Sequence, residues 1–481
     1  MSDPLISTSV DPVDTPLQRF VYVQTMGCQM NVYDTERMLE GLAAHGYLPT
    51  DDESRADLIL INTCSVRERS EHKVTSMLGT WRRLKEHNPD LVLAVSGCVA
   101  QQEGERLLRQ VRHLDLVIGP DQIGRLPELV AEVRARGGRH AETDFIDRKT
   151  YRFADAAPPA DQRVSSFVTV MKGCNKFCSF CIVPTTRGRE VSKPADDVIS
   201  EIEMLASHGV REITLLGQNV NSYGKDRHSH GEVDFTGLLE RVCAVDGVER
   251  VRFSTSHPMD CTERLIEAFG YLPELMPWFH LPVQSGSLPV LRMMRRTHDV
   301  DGYRRQIEHL RRVRPDIAMS TDIIVGFPGE TLADHQATLD LLREIRFATI
   351  YSFAYSERPG TAAARLGDDV PLAEKKRRLA EVQALQREIS ESWLLSFEGS
   401  EAEVLFEGAS SVTEAGGPQS RRIVAQLYSA PQVMGRTPHN IKVNVDTNEP
   451  GATRTWPGRL ATVRIARAAR NSLHGELVAW R

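Results

Sequence analysis

The sequence predicts an α/β protein in three parts: an N-terminal doubly wound α/β domain, a central (β/α) partial barrel and a small C-terminal all-β barrel. Three observations predict it. Short apolar runs alternate with amphipathic stretches through the first third of the chain, and six further strand–helix units follow. After about residue 396, short strand-like runs alternate with glycine and proline turns, which is typical of a small barrel.

The domain boundaries follow from these changes in pattern. We expect a flexible leader over 1–18, an α/β domain over 19–153, a barrel over 160–395 and an all-β domain over 396–481. A chain of 481 residues is too long for one ordinary core, which agrees with several domains.

Buried parallel strands and amphipathic helices account for the first domain. The predicted strands are Arg19–Thr25, Asp57–Thr63, Leu91–Ser96 and Leu114–Ile118, and the predicted helices are Thr35–His45, Lys73–His87 and Glu103–Arg112.

The central domain repeats the strand–helix pattern, and its ligands are expected at the carboxyl ends of the strands. Its predicted strands are Ser166–Met171, Glu212–Leu216, Arg250–Ser254, Trp278–Pro282, Ala318–Val325 and Thr349–Tyr355. Its clearest predicted helices are Ala195–Ser207, Gly302–Arg312, Leu332–Arg343 and Leu372–Trp393. The predicted strands of the all-β domain are Ala402–Phe406, Arg422–Gln426, Ile441–Val445, Arg459–Ile465 and Leu473–Val478.

Composition excludes several classes of protein. No apolar run approaches the ~20 residues that a membrane span needs, and the polar N-terminus does not read as a secretory signal. We therefore expect a cytoplasmic protein, in which eight cysteines favour metal binding or catalysis over disulfides. The net charge of −6 argues against a globally basic nucleic-acid binder. A local stretch rich in arginine, including Arg464, Arg467 and Arg470, fits either a phosphate backbone or a solvated surface.

Cys174, Cys178 and Cys181 form a C-x3-C-x2-C loop directly after a predicted strand. A closed structural zinc site needs four ligands, so three adjacent thiolates favour three corners of a 4Fe–4S cluster with one open iron. A zinc site or a plain electron-transfer cluster is the alternative interpretation.

A second triad is predicted from position alone. Cys28, Cys64 and Cys98 each follow a predicted strand, and carboxyl ends of parallel strands meet at one edge of a sheet. Each cysteine alone is more often a small buried hydrophobe, and only the repeated placement favours a metal site. Cys243 and Cys261 lack such a context and are expected to be structural.

The residues around the first triad resemble the radical S-adenosylmethionine superfamily, including an aromatic residue, Phe180, before the third cysteine. MGCQMNVYDTE (26–36), INTCSVRE (61–68), SGCVAQ (96–101) and MKGCNKFCSFCIVPTTRGRE (171–190) resemble the methylthiotransferases. The sequence GCQMNVYDTE around Cys28 is most similar to the MiaB branch, the bacterial tRNA-2-methylthio-N6-dimethylallyladenosine synthases. The last 85 or so residues loosely resemble a TRAM RNA-binding domain, through Gly435–Arg436 and Asn471–Val478.

This resemblance implies a transferase with two 4Fe–4S clusters, on Cys174, Cys178 and Cys181 and on Cys28, Cys64 and Cys98. S-adenosylmethionine would serve both as methyl donor and as radical source in methylthiolation of C2 of an isopentenyladenosine beside the anticodon. The implied cofactor-binding residues are Phe180, Gly217, Gln218, Asn219, Asp322 and Gly326, and the implied RNA-binding residues are Arg436, Arg464, Arg467 and Arg470. For the two glycine-containing loops, GQNVNSYG and DIIVGFPGE, a tight turn without a ligand is the alternative.

The implied partners are the tRNA anticodon stem-loop, a reducing electron donor and a protein that delivers sulfur or an iron–sulfur cluster. A monomer without membrane attachment is expected. The nearest rival functions are methylthiolation of threonylcarbamoyl-adenosine in tRNA or of an aspartate in a ribosomal protein. A rival of another class is an iron–sulfur redox carrier or a zinc-stabilised RNA-binding protein.

Overall fold

A computed structural model describes residues 18–65, 68–159, 161–226, 233–410 and 432–481, without the side chains of 68–72. The chain divides into two compact units between Phe145 and Ile146, ahead of the end of the first domain that was predicted at residue 153. The predicted leader lies outside the described residues except for its last residue, and the predicted strand Arg422–Gln426 lies wholly outside them.

The first unit contains a parallel six-stranded sheet. Its strands are β1 (Arg19–Met26), β2 (Tyr47–Pro49), β3 (Leu58–Thr63), β4 (Val92–Gly97), β5 (Leu116–Ile118) and β6 (His140–Glu142). They lie in the order β2-β1-β3-β4-β5-β6, and every neighbouring pair is parallel. The central strands β3 and β4 are buried along their whole length, as continuous apolar runs in a parallel sheet require.

Helices cover both faces of this sheet. They are α1 (Gln29–Ala43), α2 (Glu68–His87), α3 (Cys98–Glu103), α4 (Glu105–Gln110) and α5 (Leu126–Arg136). One apolar core joins the sheet to α1 and α5, and a second core, around Trp81, joins its other face to α2 and α4. The doubly wound architecture is confirmed.

The second unit begins with an open arc of six parallel strands. They are β7 (Ser165–Thr169), β10 (Glu212–Leu216), β11 (Arg250–Ser254), β12 (Trp278–His280), β13 (Ala318–Val325) and β14 (Thr349–Ala354). They form two sheets, β11-β10-β7 and β12-β13-β14. Backbone hydrogen bonds from Val251 to Glu274 and from Met276 to Val251 join the sheets beside β12. This is the predicted partial barrel, and the short pair β8 (Met171–Lys172) and β9 (Val191–Ser192) flanks its first strand.

Helices of the partial barrel pack around one large apolar core. They are α6 (Val183–Thr186), α7 (Ala195–Ser207), α8 (Phe235–Cys243), α9 (Glu263–Tyr271), α10 (Leu288–Met293), α11 (Val300–Val313), α12 (Leu332–Ile345) and α13 (Leu372–Leu395). Among the described helices, none combines the length and apolar composition that a bilayer crossing requires.

The C-terminal part is a closed barrel in the order β15-β16-β17-β19-β18. Its elements are β15 (Glu401–Ala409), β16 (Gln432–Arg436), β17 (Lys442–Asp446), α14 (Ala452–Thr455), β18 (Leu460–Ala468) and β19 (Leu473–Trp480). Its core is apolar and includes Trp456 and Phe406, whose ring centroids are 4.9 Å apart. The all-β prediction is confirmed, although the sequence analysis missed β16.

Two buried arginines at the beginning of β11 fasten the C-terminal barrel to the partial barrel. Arg252, 3% exposed, forms a paired hydrogen bond with Glu212, at 3.0 and 3.3 Å, and also donates to the Pro438 carbonyl at 2.7 Å. Arg250 donates to the Arg436 carbonyl at 2.7 Å and to Glu403 at 2.9 Å. The C-terminal barrel is therefore docked at the amino-terminal end of the strands.

Replacement of Arg252 by alanine should lower the free energy of unfolding by about 3–5 kcal/mol, because it leaves the buried Glu212 carboxylate poorly compensated. Urea unfolding followed by tryptophan fluorescence would measure the change. The control is Arg211→Ala, because Arg211 forms a partly exposed pair with Glu249 that should contribute less than about 1 kcal/mol. Equal losses in the two variants would contradict the special role of the buried pair.

Candidate active site

The C-x3-C-x2-C loop follows β8, at the carboxyl end of the partial barrel. Gly173, with φ +73°, permits the sharp turn into it, and a Cβ atom there would lie 2.1 Å from the Arg189 carbonyl oxygen. Within the loop, the Cys181 amide donates to the Cys178 carbonyl at 3.0 Å. The turn thus brings the three cysteines of the loop into one small region.

Burial keeps the thiols of Cys174 and Cys181 protonated in the cluster-free chain. Burial raises the pKa of Cys174 to about 12, and burial followed by the neighbouring Cys178 raises that of Cys181 to about 12. Thiolates are the metal-binding form, so loading this loop must release protons.

A buried carboxylate anchors the loop to the barrel. Asp260 accepts from Lys176 within the loop at 2.7 Å, from Lys225 at 2.8 Å and from the Asn219 side chain at 2.8 Å. Burial opposes ionisation of Asp260, but these hydrogen bonds outweigh it, and the pKa lies below its usual value. The sequence analysis missed this anchor because Asp260 lies far from the motif and carries no signature of its own.

Arg296 is a second residue that the motifs did not reveal. It is buried after α10, and its Nη1 donates to Cys178 Sγ at 3.6 Å, while its Nη2 donates to the Pro282 carbonyl at 2.5 Å. A guanidinium therefore lies directly against one of the three sulfurs.

The predicted residues Gly217, Gln218 and Asn219 lie at the end of β10 beside the cysteine loop. Gln218 accepts from the Gly173 amide at 2.5 Å, which joins the two segments. Its Nε2, and the Oδ1 of Asn219, are buried without a hydrogen-bond partner among the described residues. An unused donor and an unused acceptor next to a cluster loop are suited to a polar ligand.

Phe180 and Gly326 belong to neighbouring loops. The Phe180 ring packs against Phe327, directly after Gly326, with centroids 6.5 Å apart. Contacts within the protein explain the glycine at 326 without a ligand. A Cβ atom there would lie 2.4 Å from Lys375 Cγ, and the Gly326 amide already donates to Glu330. Asp322 lies within β13, with its carboxylate 3.6 Å from His280. Cofactor contact by these three residues stays a prediction.

The three N-terminal cysteines come together at the carboxyl edge of the six-stranded sheet. Cys28 follows β1, Cys64 follows β3 and Cys98 follows β4. Hydrogen bonds to the side chains of Cys28 and then Cys98, together with burial, raise the pKa of Cys64. The sulfur of Cys64 therefore lies in contact with both other sulfurs.

Glycines and a buried amide pair allow this convergence. A Cβ atom on Gly27 would lie 2.5 Å from Cys64 Cβ, and one on Gly97 would lie 2.3 Å from the Thr63 carbonyl oxygen. Asn31 donates to Asn62 Oδ1 at 3.0 Å and accepts from Cys28 Sγ at 3.2 Å. This explains the asparagine three residues after Cys28 in the sequence motif.

Both triads have the donor chemistry of an iron–sulfur site. In the part of the chain that the structure describes, no three His, Cys, Asp or Glu side chains surround a point that fits a single metal ion. A 4Fe–4S cluster places three thiolates on three separate irons, so a single-ion geometry is not its requirement. Three cysteines on glycine-permitted turns fit such a cluster.

The predicted RNA-binding arginines fall into two environments. Arg464, Arg467 and Arg470 are exposed, on β18 or directly after it. Arg436 is half-buried and forms an ion pair with Glu407 at 3.0 Å, beside the contact with the partial barrel. The structure thus does not bring all four together on one open surface.

Two family comparisons match these regions. Residues 20–119 match a family described as Uncharacterized protein family UPF0004, and residues 168–342 match the Radical SAM superfamily.

Comparison with curated proteins decides the relationship. The chain is 46% identical over 459 residues to tRNA-2-methylthio-N(6)-dimethylallyladenosine synthase from Syntrophotalea carbinolica, covering 95% of this chain and 99% of that protein. It is 48% identical to the synthase of the same name from Anaeromyxobacter dehalogenans, covering 97% and 96%. The chain belongs to the tRNA-2-methylthio-N(6)-dimethylallyladenosine synthase family. It is therefore a radical S-adenosylmethionine transferase, and membership of this synthase family carries S-adenosylmethionine and 4Fe–4S clusters as its cofactors.

Solved structures agree with the fold of this synthase family member. A radical S-adenosylmethionine methyltransferase, TsrM, from Kitasatospora setae matches with a TM-score of 0.53 at 15% identity, covering 72% of this chain and 77% of that chain. The cobalamin-dependent S-adenosylmethionine radical enzyme OxsB matches with a TM-score of 0.54 at 11% identity, covering 85% and 71%. At such identities the comparison speaks only for the fold.

Replacement of Asp260 by asparagine should loosen the loop and increase the rate of iron loss to a chelator several-fold. We define the single-triad chain as the protein with Cys28, Cys64 and Cys98 replaced by alanine, so that only Cys174, Cys178 and Cys181 remain to hold iron. The rate is measured in this chain, with the exposed Asp246→Asn as the control.

The same substitution carries a prediction about pH. Because the pKa of Asp260 is depressed, its contribution is fully present above about pH 3.9, the ordinary value for aspartate, and is lost only as the pH falls through the lower folded value. The difference between Asp260→Asn and the parent should therefore be constant from pH 6 to pH 8. A difference that disappears within that range would contradict an ionised anchor.

Proposed function

We propose that this chain methylthiolates C2 of N6-isopentenyladenosine (dimethylallyladenosine) beside the anticodon of tRNA. The observation that carries this proposal is the second triad, Cys28, Cys64 and Cys98, at one edge of its own sheet. A radical barrel alone accounts for cleavage of S-adenosylmethionine, whereas sulfur insertion needs a further site that can hold sulfur. The family relationship supports the choice of substrate.

The groups that bind here supply the redox chemistry, and the protein supplies position. When bound, a cluster on Cys174, Cys178 and Cys181 supplies the electron that cleaves S-adenosylmethionine, and a cluster on the second triad carries the sulfur. The buried Gln218 Nε2 and Asn219 Oδ1, which lack hydrogen-bond partners among the described residues, support roles as donor to the carboxylate of the cofactor and acceptor from its amino group. Asp260 and Lys176 hold the cysteine loop in place during these contacts.

In the first unit the protein holds three sulfurs at a sheet edge. Asn31 orients Cys28 through a hydrogen bond with its sulfur. When a cluster is loaded, the buried Cys64 and its two neighbouring cysteines lose their thiol protons. Because the side chains of Cys64 and Cys98 are buried while Cys28 is exposed, one side of this site is open to a substrate.

The C-terminal barrel is proposed to bind the RNA backbone. Arg464, Arg467 and Arg470 are exposed, and guanidinium groups pair well with phosphate oxygens. Arg436, whose side chain is paired with Glu407, is assigned to the barrel contact and only secondarily to RNA. We place the reaction in the cytoplasm, where a reducing electron donor and a protein that delivers sulfur or a cluster are available, and we propose that the chain acts as a monomer.

The direct test is nucleoside mass spectrometry of tRNA from cells that lack the gene for this chain, with and without a plasmid copy. We expect 2-methylthio-isopentenyladenosine to disappear, isopentenyladenosine to accumulate, and the plasmid to restore the pattern. An unchanged nucleoside would overturn the substrate and direct the search to threonylcarbamoyl-adenosine and then to ribosomal protein.

Single cysteine variants separate the roles of the two triads. Cys178→Ala should abolish formation of 5′-deoxyadenosine while about four irons per chain remain on the other triad. Cys64→Ala should retain that cleavage and lose methylthiolation. Cys243→Ala is the control, because Cys243 is buried in α8 away from both motifs. Formation of methylthiolated product by Cys64→Ala would contradict the assignment of sulfur insertion to the second triad.

Replacement of Arg464, Arg467 and Arg470 together by glutamine should weaken tRNA binding and reduce the slope of log K against log salt by about 2–3, since each lost phosphate contact removes roughly one unit. Filter binding between 50 and 200 mM salt measures the slope. The control replaces Arg305 and Arg312, which are exposed on α11. A slope equal to that of the parent would show that these arginines do not meet phosphates.

A further inference from the structure

Arg296 is a buried cation without a directly paired carboxylate among the described residues. Its side chain lies among residues at the carboxyl end of the partial barrel, and the residue is 8% exposed. Two of its nitrogens donate to neutral or sulfur acceptors, the Pro282 carbonyl and Cys178 Sγ. Its Nε is buried without a partner, and none of the described carboxylates forms an ion pair with it.

Two imidazoles and one phenol near Arg296 are neutral as well. Burial, and then the guanidinium itself, lowers the pKa of His257 to about 2 and that of His298 to about 4. Burial also raises the pKa of the Tyr303 phenol. Near neutral pH, these two imidazoles and the phenol therefore carry no charge that could offset Arg296.

Other buried cations in this chain are treated differently. Arg252 is also buried but is paired with Glu212, and Arg378 is paired with the buried Glu330 at 2.7 Å. A buried charge without a partner is strongly unfavourable, so a retained one implies an anion that joins it in the working protein. Among the atoms that contact Arg296, the one that metal binding would make anionic is Cys178 Sγ.

We propose that Arg296 is the counter-cation of the iron–sulfur cluster on Cys174, Cys178 and Cys181 and that it positions Cys178 and sets the reduction potential of that cluster. A cluster with three thiolates is negatively charged, and each added electron increases that charge. Hydrogen bonds to ligand sulfurs and nearby charge are known to tune such potentials. A buried guanidinium against Cys178 Sγ stabilises the reduced form and raises the potential.

This inference rests on the assignment of a cluster to this triad under the proposed function. A different anion, the carboxylate of S-adenosylmethionine, would satisfy the charge too. The contact with sulfur favours the cluster, because it exists between Arg296 and Cys178 without the cofactor. The two sources are separable, since a cluster partner acts before the cofactor is added.

The first experiment compares thermal stability with and without the cluster. In the single-triad chain, Arg296→Met should leave the melting temperature of the cluster-free protein unchanged or higher, because an uncompensated cation is removed. The same substitution should lower the melting temperature of the loaded protein. If Arg296 only capped the Pro282 carbonyl, its replacement would lower the melting temperatures of the cluster-free and the loaded protein equally. That result would overturn the proposal.

The second experiment measures the midpoint potential of the loaded single-triad chain by redox titration with electron paramagnetic resonance, without S-adenosylmethionine. Arg296→Met should shift the reduction equilibrium about tenfold toward the oxidised form, which is about 59 mV more negative for one electron. Arg296→Lys keeps the charge but not the planar fork and should fall between the two. The control is Arg292→Met, which removes an exposed cation from the same segment.

The outcomes are distinct. A single-triad chain that holds no iron would refute the cluster assignment of the proposed function itself. Iron at about four per chain with an unchanged potential in Arg296→Met would refute the role of Arg296 alone. A shift that occurs only after S-adenosylmethionine is added would reassign Arg296 to the cofactor carboxylate and overturn the proposal as stated.

Discussion

The geometry of parallel strands is the constraint on which both cysteine sites depend. Strands that run in one direction end at one edge, so residues directly after them are brought together whatever their separation in sequence. In the first unit this places Cys28, Cys64 and Cys98 in contact. The segments approach so closely that there is no room for a side chain at Gly27 or Gly97. The glycines that precede Cys28 and Cys98 are therefore part of the site.

Much of this arrangement could be predicted from the sequence, because apolar runs, amphipathic stretches and cysteines directly after predicted strands are local signals. The bounds of β10, β11, β13 and α7 agree with the prediction. Helix α1 begins at Gln29, ahead of the predicted start, because Cys28 caps it and cysteine is not a residue expected at that position. The helix predicted over Glu103–Arg112 is present as the shorter α4, Glu105–Gln110, because Gly104, with φ +45°, separates it from α3.

Interactions between distant residues could not be predicted in this way. No spacing in one sequence relates Lys176 to Asp260, or Arg296 to Cys178, because these pairs arise only when the barrel closes. The same holds for Arg436, whose place in the TRAM-like resemblance indicated RNA but whose guanidinium is paired with Glu407. The structure thus adds the charges around the sites, whereas the sequence supplied the sulfur ligands.

The docking of the C-terminal barrel through Arg250 and Arg252 has a consequence for molecular length. These arginines lie at the beginning of β11, whereas the cysteine loop lies beyond the carboxyl ends of the strands. A five-residue strand spans roughly 16 Å, at about 3.3 Å per residue. A ligand that contacts both the cysteine loop and the C-terminal barrel must therefore extend beyond the length of that strand.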